Sequence, residues 1–266
     1  MPTVDFFRPD STEFCEGLSP IASHGLFGAH SVTEWANTIS CLPIVFFGIW
    51  GMVKGRHWAP FPMMMHAILA LVGIGSALYH LTLYFGFGLL DTFPMTLLMG
   101  FASVTLLNEV AHEKITRGRK FALAAFALIA GAYMLVGLVS AVFSPLVFRN
   151  VFSIPFVLVV GITIWFYIDA ANLLPGSVQT RDNAKNLIRR IWISTSVSVV
   201  CWKIDVLVCP HWVNIVYFFG HVWWHIGIGY AGLCAISLTS YLMANNYGHS
   251  ATIRYVGKVL PVIEYA

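Results

Sequence analysis

The stretch Met65-His66-Ala67-Ile68-Leu69-Ala70-Leu71-Val72-Gly73-Ile74-Gly75-Ser76-Ala77-Leu78-Tyr79-His80 decides how this chain is read. It belongs to an apolar window over residues 60–83 that is long enough to cross a hydrocarbon core, which takes about 20 residues as a helix. It ends in Ser76 and His80, whose i, i+4 spacing puts them on one helix face. Working outward, six further windows of the same kind cover roughly 33–53, 88–110, 120–142, 150–170, 187–208 and 214–243. Apolar residues make up 58% of the chain and charged residues 10%. A soluble domain carries about 25% charged residues, so the expected fold is an all-α, seven-transmembrane helix bundle.

The first 32 residues are polar and Gly-rich, with no apolar run. No cleavable signal peptide is therefore expected, and the first span directs insertion. The expected organisation is an outer segment over 1–32, a membrane domain over 33–245 and a cytoplasmic tail over 246–266. Twelve of the fifteen Lys and Arg fall on one side of the seven spans: Lys54 and Arg56, the 114–120 cluster, the 181–190 cluster, and Arg254 with Lys258. Basic loops stay cytoplasmic, which predicts an outer N-terminus and an inner C-terminus. The net charge of +3 follows from this loop pattern and makes no case for a nucleic-acid surface. The expected location is a multi-pass membrane protein, in ER or Golgi membrane in a eukaryote and in plasma or inner membrane in a bacterium.

With that topology, several polar residues reach one depth. Ser76 and His80 lie near the outer end of span 2, and Asp91 near the outer end of span 3. His221-Val222-Trp223-Trp224-His225 lies two to three turns into span 7, and Asp205 near the outer end of span 6. Ionisable groups inside apolar spans are usually functional. His221 and His225, at i, i+4, plus His80 make a three-imidazole tripod for Zn²⁺ with a fourth position open. Soluble zinc proteases place a glutamate base between paired histidines. Here those positions are Val222, Trp223 and Trp224, so the base must come from another helix, and Asp91 is the candidate. Ser76 fits an oxyanion donor better than a nucleophile, because a metal site already supplies the nucleophile. The chemistry read from these residues is metal-assisted hydrolysis of a lipid amide or ester.

Other readings stay open on the residues alone. The histidine pair also suits a structural hydrogen-bond pair or a haem. Ser76, in Gly73-Ile74-Gly75-Ser76-Ala77, also suits helix packing, and Asp91 an N-cap. A lipid receptor or an ion-coupled transporter with a structural zinc is the alternative function. Lys203 is expected to snorkel, and His57, His66 and His211 are not assigned to the site.

The chain resembles the alkaline ceramidases, whose superfamily also holds adiponectin-receptor-like proteins and a lipid-remodelling branch. The motifs are Ser76-x-x-x-His80, Asp91, His221-x-x-x-His225, Glu13-Phe14-Cys15-Glu16, Glu34-Trp35-Ala36-Asn37-Thr38-Ile39-Ser40, and Trp202-Lys203-Ile204-Asp205 followed by Cys209. The resemblance implies cleavage of ceramide, or a related long-chain N-acyl lipid, to a long-chain base and a fatty acid. It implies zinc on His80, His221 and His225, with Asp91 taking the proton of water and Ser76 stabilising the tetrahedral intermediate. It also implies Ca²⁺ at Glu13, the Phe14 carbonyl, Glu16, Leu18 and Glu34. Glu13 stands where the family has an aspartate and Leu18 where it has an asparagine, so a weakened, rearranged or lost calcium site is expected.

The last implication is a disulfide between Cys15 and Cys209. Both are expected at the outer face, where oxidising conditions let a bond persist, and both match family cysteines. Non-reducing peptide mapping of oxidised protein should recover the Cys15–Cys209 peptide; finding both thiols alkylated would defeat the pairing.

Overall fold

A computed structural model describes residues 16, 23–24, 32–55, 59–111, 168, 171–172, 177–208 and 219–265. Two short strands, β1 (Ser23–His24) and β2 (Val32–Thr33), pair antiparallel ahead of the helices. Among the described residues six helices follow: α1 (Trp35–Ser40), α2 (Leu42–Lys54), α3 (Pro60–Thr82), α4 (Phe85–Ala111), α5 (Val178–Leu207) and α6 (Gly220–Asn246). A C-terminal hairpin of β3 (Ala251–Val256) and β4 (Leu260–Tyr265) completes the described chain.

Four of the described helical segments are long and apolar enough to cross a membrane: Trp35–Lys54, Pro60–Thr82, Phe85–Ala102 and Gly220–Asn246. They correspond to expected spans 1, 2, 3 and 7. The sixth expected span falls within α5, which is long but carries charges along much of its length. Expected spans 4 and 5 lie outside the described residues except Ile168. Apolar side chains face outward in stripes at helical spacing. On α2 these are Leu42, Phe46, Ile49 and Val53, and on α5 they are Ile193, Val197, Val200, Ile204 and Leu207. Water penalises such stripes, whereas lipid accepts them.

The helices approach closely where they lack side chains. A methyl on Gly48 would meet Ala70 N at 2.5 Å, and one on Gly51 would run into the His66 ring. This seats His66, which is buried, against α2 and away from the other histidines. On Gly73 a methyl would meet Val45 N at 2.7 Å, and on Gly229 it would meet Ile44 Cγ1 at 2.9 Å. Small residues that bring backbones together are the usual means of packing helices in lipid.

The α3–α4 contact combines a glycine with a proline. Pro94 lies inside α4 and has no N–H to donate to the Leu90 carbonyl one turn earlier. That carbonyl is the nearest neighbour of the space where a Gly75 side chain would be. The two helices therefore meet at Gly75 and Leu90, which sets Ser76 beside Asp91. A tight turn joins these helices, with Leu83 in the left-handed region at φ 48° closing α3.

The C-terminal segment expected as a tail carries a paired hairpin. Gly257 and Lys258 both have positive φ (60° and 64°), and Val259 N–H bonds Val256 O at 3.2 Å. Positive φ at both central residues is the signature of a turn that matches strand twist. Ala251 and Ile263 join the core formed by α5 and α6. Arg190 ties the hairpin down: its guanidinium donates to Tyr230 Oη at 2.8 Å and to the Lys258 carbonyl at 3.2 Å, and lies 4.4 Å over the Tyr255 ring.

Gly75→Ala should lower stability by about 1–3 kcal/mol, the usual cost of forcing atoms into a packed contact. Gly100→Ala, where an added methyl meets nothing within 4 Å, should be neutral or stabilising. Thermal unfolding of both variants in detergent checks the pair, and equal melting points would contradict the close approach at Leu90.

Candidate metal centre

Five elements bring their ends to one place. α3 contributes Ser76 and His80 from its last two turns, and α4 contributes Asp91 from its second turn. Asp91 is thus no N-cap, since α4 begins at Phe85. α6 begins at Gly220, so His221 and His225 lie in its first two turns. α5 contributes Asp205 near its C-terminal end, and α1 lies across the group.

His80, His221 and His225 are all buried, and one ring nitrogen from each lies within 4.8 Å of the others. Ring centroids are 5.0 Å apart for His80 and His221, 4.9 Å for His80 and His225, and 4.4 Å for His221 and His225. The rings stand at 60–76° to one another rather than stacked. Three imidazole nitrogens converging from different directions are a donor set that suits zinc, whose tetrahedral shell separates nitrogens by about 3.3 Å. The three could hold a metal ion, and zinc fits them.

Each histidine is held from behind or at its backbone. Glu34 Oε2 lies 2.6 Å from His80 Nδ1, with both side chains fully buried. A carboxylate only accepts, so Nδ1 donates in this contact and Nε2 faces the other way. Ser40 Oγ lies 2.7 Å from His225 Nδ1. Asp205 Oδ1 accepts from the His221 backbone N–H at 3.1 Å, placing a carboxylate at the amide-rich start of α6.

The two remaining groups stand beside the tripod. Ser76 Oγ is 3.3 Å from His225 Nε2. Asp91 is half-buried, and its carboxylate faces the Ser76 hydroxyl and interacts with His80. A hydroxyl and a carboxylate thus flank three nitrogens that could hold a metal ion.

The positions expected around calcium divide. Glu13, Phe14 and Leu18 lie outside the described residues, as do Cys15 and Cys209. Glu16 accepts from the Ala36 and Asn37 N–H groups at 2.6 and 2.8 Å, which caps α1 from outside the helix. Burial pushes the Glu16 carboxyl above its ordinary range, and the two amide hydrogen bonds oppose that shift. Glu34 serves His80 and also accepts from Asn37 Nδ2 at 3.1 Å. Among the described residues, the three histidines form the one group found able to hold a metal. The Lys203 ammonium, expected to snorkel, lies 4.3 Å over the Trp202 ring.

Sequence reasoning missed the contacts made by α1. Glu34, Asn37 and Ser40 recur at three-residue spacing in an otherwise apolar span, and that periodicity marks one polar helix face.

The chain is 24% identical to a protein named "Alkaline ceramidase" from Arabidopsis thaliana, with 88% of this chain and 86% of the relative covered. It is likewise 24% identical to "Putative alkaline ceramidase dcd3B" from Dictyostelium discoideum, with 90% of each covered. The sequence model of the family described as Ceramidase matches residues 27–264, and the protein belongs to that family.

Proposed function

We propose that this chain is an intramembrane zinc-dependent amidohydrolase that cleaves ceramide, or a closely related long-chain N-acyl lipid, to a long-chain base and a fatty acid. The observation that carries this is the buried His80–His221–His225 tripod with Asp91 and Ser76 against it, in a chain of the ceramidase family. We read the bundle as seven spans with the N-terminus outside and the site in the outer half of the membrane. The exposed apolar stripes on α2 and α5 support a lipid-facing surface.

Zinc, when bound, acidifies water from a pKa of 15.7 to about 7 and polarises a carbonyl oxygen. His80, His221 and His225 would hold it. Asp91 takes the proton of the attacking water at its carboxylate and returns it to the amide nitrogen as the C–N bond breaks. The Ser76 hydroxyl donates to the oxygen of the former carbonyl as charge collects there. Asp205 and Glu34 touch no substrate in this scheme; they hold the ends of α6 and α3.

A hydrolase differs from a receptor or transporter in turning over its lipid. Protein purified in detergent should contain about one zinc per chain and release fatty acid from long-chain N-acyl lipids. Chelation should stop the release and added zinc restore it. His221→Ala and His225→Ala should lose both metal and activity. Full turnover in verified zinc-free protein would sink the mechanism.

Asp91→Asn separates chemistry from metal binding. It should keep zinc and lose most turnover, because an amide cannot accept the proton. Ser76→Ala should also keep zinc and lose about 10²–10³ in rate, the usual effect of removing an oxyanion donor. Loss of zinc from Asp91→Asn would make Asp91 a ligand instead.

A further inference from the structure

The α1–α2 junction carries a hydrogen-bond relay that ends on a proposed zinc ligand. Helix α1 stops at Ser40, and Pro43 follows in the first turn of α2. At this break the Cys41 N–H bonds back to the Thr38 carbonyl at 3.3 Å rather than to Asn37. The Asn37 carbonyl is taken up by side chains instead. Ser40 Oγ donates to it at 2.8 Å and Cys41 Sγ at 3.1 Å.

A serine hydroxyl has a single proton. Given to Asn37, that proton is not there for His225. In that arrangement the 2.7 Å contact between Ser40 Oγ and His225 Nδ1 is made by Nδ1–H donating to Oγ, with the Asn37 carbonyl a second acceptor beside the same ring. It puts the ring proton on Nδ1 and leaves Nε2 as a bare lone pair. Nε2 faces Ser76, 3.3 Å away, on the side where His80 and His221 converge. A neutral imidazole in water prefers its proton on Nε2, the nitrogen that the zinc reading needs bare. Something must therefore select the other tautomer, and metal-binding histidines are generally set by the partner of their second nitrogen.

We propose that Ser40 is a positioning residue for His225, fixing its Nδ1–H tautomer so that Nε2 is presented to the metal. The assignment rests on the zinc-hydrolase reading above. Ser40 touches neither substrate nor metal; it acts only through the ring. Its own orientation depends on the Asn37 carbonyl, and the start of α1 is pinned by Glu16. The relay therefore runs from the N-terminal segment to the third ligand.

The test compares Ser40→Thr, which keeps a hydroxyl, with Ser40→Val, which replaces that hydroxyl by a methyl of similar size, and with Ser40→Ala. Zinc affinity is read by chelator competition, and ligand geometry by the visible absorption of the Co²⁺-substituted protein. The valine and alanine variants should bind zinc about 10–100-fold more weakly, the usual effect of losing such a partner, and should shift the cobalt spectrum. The threonine variant should match the parent in both. Equal zinc affinity and equal spectra across the three would overturn the proposal, whatever their melting points. In metal-free parent protein, ¹⁵N NMR of labelled histidine should show His225 protonated on Nδ1. This needs no variant to fold, and an Nε2–H ring would also overturn the assignment. Parent protein that binds no zinc, or binds it without turnover, would instead count against the hydrolase reading.

Discussion

Glu34 and His80 are joined twice, and the site depends on that junction. The Glu34 carboxylate meets His80 Nδ1 at 2.6 Å, and the Glu34 N–H bonds the His80 carbonyl at 3.0 Å. Both side chains are wholly buried. A carboxylate without solvent is costly unless its lone pairs are used, and Asn37 Nδ2 supplies a second donor. The pair therefore fixes three things together: where α1 begins, where α3 ends, and which nitrogen of His80 faces inward. Neither partner can move without leaving a buried polar group unsatisfied.

Around that junction, packing follows from what the helices lack. Gly48, Gly51 and Gly73 bring α2 onto α3, and Gly75 brings α3 onto the Leu90 carbonyl that Pro94 cannot serve. These contacts place Ser40, Ser76, Asp91 and the histidines within reach of one another although they come from four helices. Apolar side chains turn outward on α2 and α5, while these polar groups meet inside the bundle. Function and stability thus rest on the same few small residues, and a methyl added at Gly75 would disturb both.

The parts of this arrangement legible in the sequence are those that stand out against an apolar background. His80, His221, His225, Asp91 and Ser76 are conspicuous because lipid-facing helices have little other use for them, and the structure brings them together. The ranges of α3 and α4 follow closely from the apolar windows. The beginning of α6 does not, because the apolar run starting at 214 precedes the helix that begins at Gly220. Contacts such as Ser40 to His225 span 185 residues and depend on a break at Cys41, which local pattern does not show. The terminal hairpin is legible in retrospect: Thr252 to Val256 and Pro261 to Tyr265 flank Gly257-Lys258, the pattern of two strands and a turn. A reading attuned to membrane spans passes over it.

Placing this chemistry at the helix ends rather than mid-bundle has a physical logic. Hydrolysis needs water, and a lipid amide sits where head group gives way to chain. A site at the helix ends lets the acyl tails stay in hydrocarbon while the carbonyl reaches polar groups. It also sets the buried histidines close to helix termini, whose backbone groups need partners. The elements that gather there supply them. Asp205 occupies the amide-rich start of α6, Glu16 the start of α1, and the Leu83 turn holds the end of α3 against the start of α4. Helix termini are where backbone groups lack partners, so side chains that satisfy them also fix the ends in space. The carboxylates that cap the helices therefore hold still the start of α6, from which His221 and His225 project, and the start of α1, which leads to Ser40.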